Sequence, residues 1–280
     1  ADVYRKVRNT SRYLLGNLHD FSPEKDAIAV ADLPLLDRWM LQRTAEVMDE
    51  ITESFENYEF FRFFQLLQNF CVTDLSNFYL DIAKDRLYVS APSDQRRRTC
   101  QTVMALIIER LAGLIAPVLC HMAEDIWQNL PYPVEETSVF QRGWPTAPDS
   151  WRDASVQEPM QQLRELRASV NKVLEDCRSR QELGASLEAS VRLEAHSPSL
   201  QSALHWLNEN GQPEVDGLRD WLLVSQLQIG GEPWAELLAN HDDSVALIEV
   251  ARARGTKCER CWHYESDVGQ HADHPHLCGR

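Results

Sequence analysis

Apolar residues recur every three or four positions through most of the first 130 residues, the period of a helix with one buried face. After "DLP" at 32–34, with proline near a first helical turn, Met40, Thr44, Val47, Met48, Ile51 and Phe55 trace such a face. Phe60, Phe63, Phe64, Leu67 and Cys71 trace a second, which Leu75 and Phe78 continue. In "TCQTVMALIIERLAGLIAP", Val103, Leu106, Ile107, Leu111 and Leu114 form a stripe that Pro117 interrupts. Val118, Leu119, Met122, Ile126 and Leu130 resume it. Long amphipathic segments with short connections predict an antiparallel helical bundle.

The pattern changes at 131–150, where four prolines, Gly143 and Trp144 stand among acidic and polar residues; this reads as an extended linker. A long charged helix is predicted over roughly 155–182. "SLEASVRLEA" then alternates Val191, Leu193 and Ala195, a strand signal, and "SPSLQSALHWLNEN" reads as a short helix closed by Asn-Gly. "LRDWLLVSQLQI" and "SVALIEVARA" read as further strands. The expected fold class is mainly α. A helical bundle fills 1–145, a linker, long helix and small α+β domain fill 146–250, and a terminal metal knuckle fills 251–280.

Composition narrows this only a little. Hydrophobic residues make up 44% and charged residues 25%, ordinary for a soluble globular chain. No apolar run approaches the roughly 18 residues of a membrane span. The opening "ADVYRKVRNT" has no initiator Met and no secretory h-region, and it begins inside a helical pattern, which suggests an excised fragment. The net charge of −15 argues against indiscriminate nucleic-acid affinity. Residues 201–250 hold one arginine against nine acidic residues, but residues 251–280 hold five basic against four acidic. Contact with RNA at restricted patches stays open.

Cysteine usage carries more. Cys71, Cys100, Cys120 and Cys177 lie singly among apolar helical residues, where a free thiol acts as a small hydrophobe. Cys258, Cys261 and Cys278 cluster in "KCERCWHYESDVGQHADHPHLCGR". That usage fits a reducing, cytoplasmic compartment with one metal site. C-x2-C followed, after sixteen intervening residues, by a third cysteine matches the first three ligands of a zinc site, in which thiolates surround the metal tetrahedrally. The fourth ligand is expected just past Arg280; His263, His271, His274 and His276 are the alternatives within the chain. A redox pair would need a thioredoxin-like setting, which is absent. Between the thiols, Arg260 can bond base edges or phosphate, and Trp262 can either stack on an unpaired base or pack against the knuckle.

The chain resembles the anticodon-binding part of bacterial isoleucyl-tRNA synthetases. The likeness runs through "YRKVRNTSRYLLGNLHDF" at 4–21, "DRWML" at 37–41 and "YEFFRFFQLLQNFCVTDLSNFYLDIAKDRLY" at 58–88. It continues through residues 114–127, "VFQRGWP" at 139–145, "LGASLEASVRL" at 183–193 and the terminal "KCERCWHY" with its later "CGR". The terminal knuckle discriminates best, since valyl and leucyl relatives differ there. In that family the fourth cysteine directly follows "CGR". The resemblance implies that the bundle and knuckle grip the anticodon stem-loop of an isoleucine tRNA. The HIGH and KMSKS signatures are missing from this sequence, so ATP and magnesium chemistry would belong to a catalytic domain elsewhere in a longer, monomeric enzyme that also edits valine. Discriminating one methylene is limited to a few kcal/mol, which is why editing is needed; this enzyme is the standard illustration of that limit.

Unpaired anticodon bases can be splayed out, stacked on aromatics and read along their edges. Arg8 and Arg12, four residues apart on one helix face, are candidate RNA contacts, with pairing to nearby carboxylates as the alternative. Lys84 and Arg86, after the aromatic "NFYLD", are further candidates. "QRRRT" at 95–99 reads as a solvated helix start and is left out of the site. A zinc-stabilised protein-interaction module without RNA binding is the competing function, favoured by the acidic charge.

Overall fold

The computed structural model describes residues 2–280, which divide into two compact units at Ala154/Ser155. The first is helical. Helix α1 (Asp2–Asn17) and a short turn α2 (Pro23–Asp26) precede α3 (Leu35–Glu56). Next comes one long helical run: α4 (Phe60–Asn69), a wide π-helical stretch over Phe70–Tyr79, and α5 (Leu80–Val89). Helices α6 (Gln95–Ile115) and α7 (Cys120–Gln128) follow. Asp94 starts α6 by accepting from the Arg96 amide at 2.8 Å, filling a donor left over at a helix N-terminus. The apolar stripes read from the sequence, among them Met40, Met48, Ile51, Phe63, Leu67, Val103, Ile107 and Leu111, are buried together.

The π-helical stretch is supported by side-chain hydroxyls. Widening the turn frees backbone groups, and Ser76 Oγ donates to the Cys71 carbonyl at 2.7 Å while Thr10 Oγ1 of α1 lies 3.2 Å from Ser76 Oγ. Hydroxyls on two helices thus compensate for the missing regular ladder.

Residues 131–150, read above as an extended linker, pack on the bundle, as do residues 151–154 that follow. Val139 and Trp151 are buried, Trp144 Nε1 donates to Thr52 Oγ1 at 3.0 Å, and Arg152 pairs with Asp49 at 2.8 Å. Proline and glycine do prevent regular structure here, as composition indicated. The apolar side chains between them still find the bundle.

In the second unit, α8 (Gln157–Ser179) and α9 (Pro198–Asn210) pack together, and a four-stranded sheet has the order β2-β1-β4-β3. Its strands are β1 (Ala189–Ala195), β2 (Gln226–Ile229), β3 (Ala239–Asp242) and β4 (Ala246–Arg252). β1 runs parallel to β2 and antiparallel to β4. The expected strand in "LRDWLLVSQLQI" is corrected in its first half. Leu218–Leu222 forms a helical turn, α10, that ends at Leu223 in left-handed backbone, and only Gln226–Ile229 is strand. Leu218, Trp221 and Leu222 fit a three- and four-residue spacing as well as an alternating one, so periodicity alone could not decide. A two-stranded ribbon, β5 (Thr256–Lys257) with β6 (Tyr264–Glu265), completes the unit.

Candidate metal centre and nucleic-acid contacts

The β5–β6 ribbon presents the C-x-x-C turn. The Cys258 amide donates to the His263 carbonyl at 2.8 Å and the Trp262 amide to the Cys258 carbonyl at 3.0 Å, closing the loop that holds Cys258 and Cys261. Gly255 enters the ribbon at φ +102, and a Cβ there would lie 2.6 Å from the Glu265 carbonyl oxygen, so only glycine fits. The third cysteine arrives on the last loop. Asp267 Oδ2 accepts from the Gly279 amide at 2.7 Å, and the Glu259 amide donates to the His276 carbonyl at 3.1 Å. Those two bonds set Cys278 against the turn.

The sulfurs of Cys258, Cys261 and Cys278 lie within 4.8 Å of one another, with Cys261 and Cys278 3.5 Å apart. Thiolates bound tetrahedrally at about 2.3 Å from zinc stand about 3.8 Å from each other, so the spacing suits that ion. Burial resists ionisation at Cys258, but backbone amides of Cys261, Cys278 and Arg260 donating to its sulfur outweigh it and bring the thiol down to about 7. Burial pushes Cys261 up to about 12 and raises Cys278. A cation at the centre would reverse that cost. Donor type, spacing and the amide bonds to sulfur all fit zinc, which when bound would tie the C-x-x-C turn to the final loop.

No histidine joins the sulfur cluster among the described residues. His263 is buried, and Arg280 Nη1 donates to its Nε2 at 2.9 Å while Arg280 Nη2 reaches Asp220 at 3.0 Å. Burial, then the Arg280 charge, pushes His263 down to about 4, so it is a neutral packing element. His271, His274 and His276 are exposed, and His271 faces Asp267. Ser225 anchors the ribbon further: the Tyr264 amide donates to Ser225 Oγ at 2.8 Å, and that hydroxyl donates to the Leu187 carbonyl. Neither Asp267 nor Ser225 carries a sequence signal, because each partner lies far along the chain.

The candidate RNA contacts separate. Trp262, directly after Cys261, stands 61% exposed, with Lys257 Nζ 5.7 Å from its ring centre. Its φ of 65 is left-handed, a conformation that costs a bulky residue about 1–2 kcal/mol. Arg260 is exposed on the same turn. Arg8 and Arg12 are exposed on α1, and neither guanidinium has a partner among the described residues. Lys84 is exposed but pairs with Asp81 at 2.7 Å. Arg86 is a correction. It is 3% exposed, donates to Asp37 at 2.6 Å and lies within reach of Thr99, so it belongs to the bundle interior and presents nothing to RNA. Arg96, Arg97 and Arg98 of "QRRRT" pair with Asp85, Asp20 and Asp26.

No helix among the described residues is long and apolar enough to cross a membrane. Residues 37–193 match the anticodon-binding domain of tRNA ligase, and residues 255–280 match the zinc finger found in FPG and IleRS. Over all 280 residues the chain is 84% identical to the isoleucine–tRNA ligase of Parasynechococcus marenigrum (strain WH8102). It is 78% identical to that of Prochlorococcus marinus (strain MIT 9313) and 76% identical to that of Synechococcus sp. (strain CC9311). In each case all of this chain is covered, and it spans 29% of the relative's length.

Proposed function

The chain belongs to the anticodon-binding domains of tRNA ligases, and on that premise we propose that it reads the anticodon stem-loop of an isoleucine tRNA within an isoleucine–tRNA ligase. The longer enzyme joins isoleucine to its tRNA with ATP and magnesium in a catalytic domain outside this chain, edits valine in another, and works as a cytoplasmic monomer. Cys258, Cys261 and Cys278 hold one zinc ion, and a cysteine just past Arg280 supplies the fourth position.

Trp262 carries the reading. A large aromatic held in a costly backbone conformation, mostly in solvent and flanked by Lys257 and Arg260, gains little for the fold by its position. It suits an unpaired base, whose π-face stacks on the indole while the cations meet phosphate. Arg8 and Arg12 supply separate phosphate contacts from the first unit, fixing register without reading sequence. Lys84 adds a weaker one because Asp81 competes for it.

A gel shift of the zinc-loaded chain with an isoleucine anticodon stem-loop at two salt concentrations tests this. Binding that weakens steeply with salt is expected. Absence of a shift at low salt would leave a zinc-stabilised protein-interaction module instead.

A further inference from the structure

The sheet of the second unit has two unlike faces. Val191, Leu193, Ile248 and Val250 make the apolar one, buried under α8 and α9. The opposite face is polar. Gln226, Ser190 and Ala251 form one row across β2, β1 and β4, and Gln228, Arg192 and Glu249 form the next. Arg192 pairs with Glu249 at 2.9 Å and donates to the Gly231 carbonyl at 2.8 Å, which closes that end.

Because β2 and β3 lie at opposite edges, the chain between them must cross the sheet. Gly230 and Gly231, both left-handed, turn it onto the polar face. Residues 233–238 then roof a cleft of about 1050 Å³, floored by Ser190 and Ala251 and walled by Trp234 and Gln228. Arg252 and Arg254 stand at its border, next to the Gly255 turn into the knuckle. Trp234 Nε1 donates to Gln228 at 3.1 Å, which fixes the indole.

Charge sets this cleft apart. Most arginines here are tied to carboxylates or backbone carbonyls. Arg252 and Arg254 are exposed, and their guanidiniums, like those of Arg8 and Arg12, have no partner among the described residues. In a chain of net charge −15, two unpaired arginines lining the same cleft as a fixed indole are a specific arrangement. Glu236 also lines the cleft and can accept from a base amino group or a ribose hydroxyl. The neighbouring cleft, lined by Lys172, Asp176, Arg180 and Asp243, brings carboxylates to its cations instead.

We propose that this cleft is a second single-strand RNA subsite, in which Trp234 stacks on an unpaired base and Arg252 and Arg254 hold the phosphates leading to Trp262. It rests on the RNA-binding reading above and extends the contact from the knuckle onto the sheet.

The test measures binding of the 280-residue chain, zinc-loaded, to an isoleucine anticodon stem-loop across a salt series. Losing two single-strand phosphate contacts in Arg252→Ala/Arg254→Ala should make the slope of log affinity against log salt shallower by about 1.4. Trp234→Ala should weaken binding about 5- to 150-fold, and Trp234→Phe should restore much of it. Lys172→Ala, in the neighbouring cleft, should change neither slope nor affinity; a slope change equal to the double variant's would show a mere loss of net charge and overturn the site. If the parent binds and Trp262→Ala weakens it, but the Arg252/Arg254 variant retains parental slope and affinity, the cleft is not a subsite and the knuckle reading stands. If the parent does not bind at all, both fall. Unchanged melting temperatures of the variants exclude misfolding as the cause.

Discussion

Trp262 and Arg86 show how differently two residues of RNA-binding type can be used. Trp262 is exposed and held left-handed by the turn it belongs to, so its removal should spare the fold. Trp262→Ala is expected to lower affinity for the anticodon stem-loop by about 1–3 kcal/mol with zinc content unchanged. Parallel loss of zinc, read by metal analysis, would mean that the indole supports the knuckle instead. Arg86 is buried with Asp37, and Tyr79 also donates to that carboxylate at 2.5 Å. Asp37→Ala leaves the guanidinium buried without its counter-charge and should destabilise the helical unit by about 3–5 kcal/mol, measured by denaturant unfolding. The sequence could not separate these roles. Arg86 follows an aromatic run and looks like a basic rim residue, and only the meeting of α3 with α5 reveals its partner.

Among the elements, most of the bundle helices, β1 and β4 were readable from apolar spacing, α8 from its long charged run and α9 from its Ser-Pro start and Asn-Gly stop. The C-x-x-C and its later cysteine were readable as well, because metal chemistry fixes residue type and interval. β3 and the β5–β6 ribbon were not. "ANHD" is poor in strand-forming residues and "TK" is too short to show alternation, so these strands are ordered by pairing with β4 and by the knuckle. Since the ribbon is fastened through Ser225, Asp220 and three thiols, chelating the zinc should lower the melting temperature of the second unit and leave the helical unit's transition in place. Calorimetry that shows both transitions falling together would contradict this. The turn after α1 offers a pH test. Arg97, by hydrogen bonding, holds the Asp20 carboxyl well below the usual carboxylate range. A carboxyl depressed in the folded state adds stability above its unfolded value of about 4, and that stability is lost as pH falls through the folded value. Asp20→Asn should therefore flatten the acid side of the helical unit's stability curve while lowering stability at neutral pH. An unchanged acid slope would show that the pair contributes nothing.

At the scale of the whole molecule, the charge pattern explains why recognition must be local. With −15 overall, the surface repels phosphate except where unpaired cations gather. The chain alone should bind tRNA more weakly than a full-length ligase, whose additional contacts make the second engagement intramolecular. Equal dissociation constants would contradict that expectation. Reading of unpaired anticodon bases, as proposed above, differs from affinity for RNA in general. It is tested most directly by competition between two stem-loops with the same stem, one with the isoleucine anticodon loop and one with that loop replaced, on the zinc-loaded chain at fixed salt. A preference of about 1–3 kcal/mol for each base read is expected, carried by the native loop and reduced in Trp262→Ala. Equal affinity for both loops, with parent and variant alike, would contradict it.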